Sequence, residues 1–178
     1  MVDVSLFQSL SYIAVAIGVC VAAFYYALNL RGQRSNRRVA LTQSLIQNLN
    51  SVETLKIQGE LMNMEWSDYD DFERKYGSDY NLDNYTKRMH FFYTFEAIGD
   101  LLRAGMADPE TLYGVTMMTA TGIWQKFLPT IAENRRRYTG KDGWSGFEYM
   151  FNELVRIRSK RDPDYVWPKD GIKYVQER

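Results

Sequence analysis

The stretch from Val4 to Leu30 contains no Asp, Glu, Lys, Arg or His. No other segment limits the fold so strongly. As a helix rising ~1.5 Å per residue it reaches about 40 Å, and a bilayer's hydrocarbon core is about 30 Å thick. In lipid each unsatisfied backbone group costs several kcal/mol, so a helix is the form such a stretch takes there. Tyr12 near one end, with Tyr25 and Tyr26 near the other, suits the aromatic belts at the two interfaces.

A cleaved secretory signal would want a basic start, a short apolar run and a small-residue cleavage site. Here the start carries Asp3, and the apolar run is long and ends in Tyr25, Tyr26, Asn29 and Arg31. The expectation is an uncleaved anchor in the cell membrane. Arg31, Arg34, Arg37 and Arg38 come directly after it. By the positive-inside rule they place the N-terminus outside and the rest of the chain in the cytoplasm. The same four arginines can face anionic lipid headgroups, at about 1 kcal/mol each. Ala14, Gly18 and Ala22 recur every fourth residue and align small side chains for helix–helix contact in the membrane.

The chain beyond the anchor is long enough for one domain with a core of its own. The full chain of 178 residues has 22 Lys plus Arg against 22 Asp plus Glu, so no global basic footprint calls for nucleic acid. The single cysteine, Cys20, allows no internal disulfide and no cysteine zinc site. Aromatic residues make up 15 % of the chain, which argues for a packed domain and against a disordered tail.

Helical spacing dominates the cytoplasmic part. Ser35 to Met64 reads as one long helix with Val39, Leu45, Ile46, Leu49, Val52, Leu55 and Ile57 on a broken stripe; Gly32 is a point of loosening, and a coiled-coil stalk is the alternative. Ser67 as cap opens a short helix over Asp68–Tyr76, closed by Gly77. A longer helix from Leu82 or Asp83 to Ala104 carries Tyr85, Met89, Phe92, Phe95, Ile98, Leu101 and Leu102 inward. Asp108-Pro109-Glu110 is a strong helix start. That helix presents Leu112, Val115, Met118, Thr119, Gly122, Ile123 and Phe127, is kinked or restarted at Pro129, and ends at Arg135-Arg136-Arg137. A last helix spans Ser145–Ser159, and the tail from Tyr165 packs through Trp167. The fold class is all-α: one N-terminal transmembrane helix, then a cytoplasmic bundle of about four to five helices. Its parts are 1–30 (tail and anchor), 31–64 (basic junction and juxtamembrane helix), 65–162 (bundle) and 163–178 (tail).

Chemistry is sparse. His90 is the only histidine and lacks the Glu-x-x-His partner of di-iron bundles, since position 87 is Lys. Glu65, Asp68, Asp70, Asp71 and Glu73 lack the glycine and terminal glutamate of a calcium loop, and capping explains them. Glu96 and Asp100 lie one turn apart on an apolar helix and need partners if buried. Arg135, Arg136 or Lys126 would pair with them structurally; a catalytic carboxylate pair is the alternative. Arg135–Arg137 with Arg156, Arg158, Lys160 and Arg161 form a basic surface, read first as solvated helix ends. No phosphate loop, dinucleotide fingerprint or nucleophile elbow is present. No catalytic, metal or cofactor residue is assigned.

The anchor with Arg31 to Arg38, Trp66-Ser67-Asp68 to Gly77, Glu96-x-x-Gly99-x-x-Leu102, and Ile123-Trp124-x-x-Phe127-x-Pro129 with Asn134-Arg135-Arg136 after it occur in an order that resembles a group of prokaryotic proteins. Those are single-pass membrane proteins with a small helical cytoplasmic domain of unknown function. The resemblance covers most of the chain and implies no catalytic residue. It implies an association with membrane-complex accessory or phage-defence proteins. The expected function is a non-catalytic, membrane-anchored interaction protein: a scaffold, regulator or accessory subunit. Its partners are membrane lipid and another membrane protein or a second copy, with no nucleic acid. The alternatives are a membrane-face enzyme using Glu96 and Asp100 with nearby arginines, or a lipid or phage-defence sensor.

Overall fold

A computed structural model describes residues 4–165; their regular structure is all helical, with no strand among them. The order is α1 (Val4–Leu49), α2 (Val52–Met62), α3 (Tyr69–Tyr76), α4 (Leu82–Arg103), α5 (Pro109–Asn134) and α6 (Ser145–Arg161). A π-helical turn over Arg135–Thr139 and a 3-10 turn over Gly140–Asp142 join α5 to α6. The expected tail packing of Trp167 falls outside the described residues. The chain divides into two compact units, with the boundary between Ala40 and Leu41.

The first unit belongs to α1, the one helix among the described residues that is long and apolar enough to cross a membrane. Its side chains from Ser11 to Leu30 are all exposed, including Ile13, Ile17, Val21 and Phe24. Gly32 does not loosen it. The interruption falls at Asn50-Ser51, where the Ser51 hydroxyl accepts from the Thr54 amide at 3.1 Å and Thr54 Oγ1 donates to the Asn48 carbonyl at 2.9 Å. Short hydroxyl side chains here compete with the helical ladder, end α1 and cap α2. The helix phase resets, so the single stripe expected over 35–64 is lost. Leu49 and Ile57 are buried, whereas Val39, Val52 and Leu55 are exposed.

The second unit is a helical bundle around an aromatic core. α4 packs chiefly on α6, and α5 packs on α6, α2 and α3. Trp66 lies 5.2 Å from both Phe72 and Phe127, and Phe92 meets Phe127 at 5.3 Å and Phe147 at 5.9 Å. Such ring pairs contribute about 0.5–1.5 kcal/mol each beyond the area they bury. Because α5 is covered on several sides, its buried face is wider than one stripe and shifted from the expected one. Met117 is buried, and Met118 is 79 % exposed. Two of its threonines return their hydroxyls to the helix, Thr116 to the Leu112 carbonyl at 2.8 Å and Thr121 to the Met117 carbonyl. Pro129 does not break α5, which continues to Asn134. Proline removes one ladder bond there, and the buried neighbours Phe127, Thr130 and Ile131 hold the helix through it.

Candidate functional site

A cleft of about 200 Å³ opens in the second unit between α3, α4 and α5. Helical spacing builds its walls. Tyr69 and Glu73 are one turn apart on α3; Tyr85, Arg88, Met89, Phe92 and Tyr93 recur on one face of α4; Thr130, Ile131 and Asn134 come from α5. Thr139 and Trp144 complete it from the turns before α6. Burial pushes the Tyr69 phenol up, against a hydrogen bond with Asn134 that favours ionisation.

Arg88 is the unusual member. It is 4 % exposed, and burial pushes its guanidinium down to about 10. It stays charged at neutral pH. Nη2 donates to the Tyr76 carbonyl at 3.0 Å, at the negative end of the α3 dipole. The guanidinium stacks on Phe72 at 4.3 Å and lies 5.5 Å from Tyr85. Its Nε is buried without an acceptor, and so is Thr130 Oγ1 on the opposite wall. The nearest charge on the wall, Glu73, favours the cation but does not ion-pair with it.

Trp144 holds a left-handed backbone at φ 61°, rare for a bulky residue and costing about 1–3 kcal/mol. Its ring is fixed against Phe92 at 5.2 Å and Tyr93 at 5.3 Å. Trp144 also stands at the N-cap of α6 without a capping side chain. The cap comes from another helix. Both Glu96 carboxylate oxygens accept main-chain amides, Oε1 from Gly146 at 3.0 Å and Oε2 from Phe147 at 2.9 Å. A carboxylate there satisfies the orphan amides and the helix dipole together. Glu96→Gln removes the charge and one acceptor, and should lower the unfolding free energy by about 1–2 kcal/mol in urea titrations of the full chain.

That geometry replaces the expected cluster of Glu96, Asp100, Arg135 and Arg136. Glu96 takes amides rather than a guanidinium. Asp100 is exposed and pairs with Arg103 at 3.2 Å. Arg135 donates to the Gly143 carbonyl and pairs with Glu148, both at 2.7 Å. Arg136 turns away to Glu133. Glu96 and Arg135 do converge on the start of α6, as clamps on its backbone and first turn. Arg103, which joins them by donating to the Ser145 carbonyl at 2.9 Å, carried no signal in the sequence.

The remaining expectations have plain positions. Asp68, not Ser67, caps α3, accepting from the Asp71 amide at 2.8 Å. Asp71 pairs with Lys75 at 2.8 Å and Asp70 with Arg137 at 2.9 Å. Lys75 beside Asp71 holds that carboxyl below its usual range. Three bases of α6 likewise sit against acids, Arg156 on Glu153, Arg158 on Asp162 and Arg161 on Glu110. His90 is exposed, and no group of three His, Cys, Asp or Glu is assembled among the described residues. Ala14, Gly18 and Ala22 are exposed on α1, as are Arg31, Arg37 and Arg38; Arg34 lies on the same helix.

Residues 12–154 match the model of a family described as a domain of unknown function, DUF4760. No curated protein and no solved structure matches the chain.

Proposed function

From a chain that belongs to the DUF4760 family, we propose a single-pass membrane protein whose helical domain binds another protein at the cytoplasmic face. Its role is that of scaffold, regulator or accessory subunit. One observation supports this most: every side chain described from Ser11 to Leu30 is exposed and most are apolar, and the family match begins within that helix at Tyr12. Leaving such side chains in water forfeits about 1.5–3 kcal/mol for each large one. A bilayer removes that cost. The basic run Arg31 to Arg38 supports a cytoplasmic second unit. The Ala14, Gly18 and Ala22 face supports packing against a neighbouring membrane helix, which is another protein's or a second copy's.

The enzyme reading has less support. Both Glu96 oxygens are committed to amides, and Asp100 lies in solvent beside Arg103.

Alkaline carbonate extraction of cell membranes should leave the intact chain in the pellet, and release into the wash would overturn the anchor. With Cys20 replaced by Ala, a Ser5→Cys variant should react with a membrane-impermeant maleimide on intact cells. Gly18→Ile should abolish the oligomer or the co-purifying membrane partner seen in mild detergent. A strictly monomeric, partnerless wild type would sink the interaction reading.

A further inference from the structure

The α3–α4–α5 cleft holds a cation that the fold leaves short of partners. Native interiors pair nearly all their buried polar atoms, and an exception calls for an explanation. Two exceptions line this one cleft: Arg88 Nε and Thr130 Oγ1. Capping α3 through Nη2 uses one of the five N–H groups of the guanidinium. Its planar fork is matched to the paired oxygens of a carboxylate or phosphate. Around it stand the rings of Tyr69, Tyr85, Phe92, Tyr93 and Trp144, flat surfaces suited to stacking. Glu73 on the same wall accepts hydrogen bonds and disfavours a bare, highly charged anion.

We propose that this cleft binds a small organic oxyanion, a carboxylate or phosphate ester carried on one flat, unsaturated body. The oxyanion lies against Arg88, with Thr130 Oγ1 donating to it or to the body. The body stacks beside Tyr93 and Trp144, and a donor on it faces Glu73. A volume of about 200 Å³ suits a single substituted ring and not a polymer chain. Trp144, held in a strained left-handed conformation, is set in place before the ligand arrives. All these residues belong to the second unit, so binding is expected whether or not the chain is membrane-anchored.

The test titrates the full chain in detergent micelles with phenyl phosphate and with benzoate, reading tryptophan fluorescence and melting temperature. Inorganic phosphate and benzyl alcohol serve as anion-only and body-only controls. At least one aromatic probe should bind saturably, raise the melting temperature, and hold at least tenfold more tightly than either control; which one wins separates phosphate from carboxylate. Arg88→Lys should weaken it at least tenfold. Because Arg88 also caps α3, Tyr93→Ala and Thr130→Val are the companion variants. Tyr93 is 63 % exposed at the rim and its only ring partner among the described residues is Trp144, so its loss should weaken binding severalfold while the free protein still folds, with its melting temperature lowered by no more than a few degrees. The proposal is overturned if neither probe binds better than the controls, which leaves water alone to satisfy the two orphan atoms. It is overturned equally if binding is indifferent to both companion variants.

Discussion

Gly99→Ala will destabilise the helical domain by about 3 kcal/mol, although in a free helix the same change is stabilising by roughly 0.5–1 kcal/mol. The sign reverses because α4 and α6 meet glycine to glycine. A Cβ on Gly99 would run into the main chain of Gly146, and one on Gly146 would run into the Glu96 carbonyl. Backbone cannot rotate aside as a long side chain can, so α4 and α6 must separate. That separation also pulls Glu96 from the amides of Gly146 and Phe147 and loosens Phe95 from Phe147, whose rings lie 4.8 Å apart. Gly59→Ala supplies the control. It lies exposed inside α2, where an added Cβ meets nothing within 4 Å. It should raise stability by about 0.5–1 kcal/mol. Chemical denaturation in mild detergent, monitored by tryptophan fluorescence, reads both, since all four tryptophans lie beyond α1 in the sequence. Equal effects from the two substitutions would refute the close approach.

The Glu96-x-x-Gly99-x-x-Leu102 spacing stood out in the sequence without a reason; the packing supplies one. Glu96 caps the neighbouring helix, Gly99 admits it, and Leu102 is buried in the core. Elements whose signals are local were legible. Asp108-Pro109 opens α5 where expected, and α3 and α4 begin within a residue of their predicted starts. What escaped depends on partners distant in sequence. A glutamate that caps a helix fifty residues away carries no local mark. Nor does the choice of Trp144 for the left-handed position beside Gly143, where a Cβ would strike the Thr139 side chain. Arg88 lies next to the predicted stripe, where a cation beside an apolar face normally reads as its solvated edge. Only the bundle shows that α3 closes over it.

Lys126 obeys the same logic and gives the second large effect. It is fully buried and donates to the carbonyls of Met62 at 2.5 Å and Met64 at 2.7 Å, closing the end of α2, with Trp66 5.3 Å from its ammonium. Lys126→Met should therefore cost about 1–3 kcal/mol at pH 7, since two buried carbonyls lose a donor while the expense of burying a charge is recovered. The pH dependence is the sharper prediction. Burial pushes the amine down from 10.5 to about 8. Below pH 8 both folded and unfolded chains hold the proton, and the lysine's contribution is constant. Between about pH 8 and 10.5 the unfolded chain keeps a proton that the folded one has released, so stability rises with pH. By about pH 9.5 the wild type should gain roughly 2 kcal/mol over the methionine variant relative to their difference at pH 7. A gap that stays flat from pH 7 to 9.5 would mean that the two carbonyls hold the ammonium as firmly as water does. Lys126 would then be a permanently charged clamp, and its cost on removal would be the same at every pH in the window.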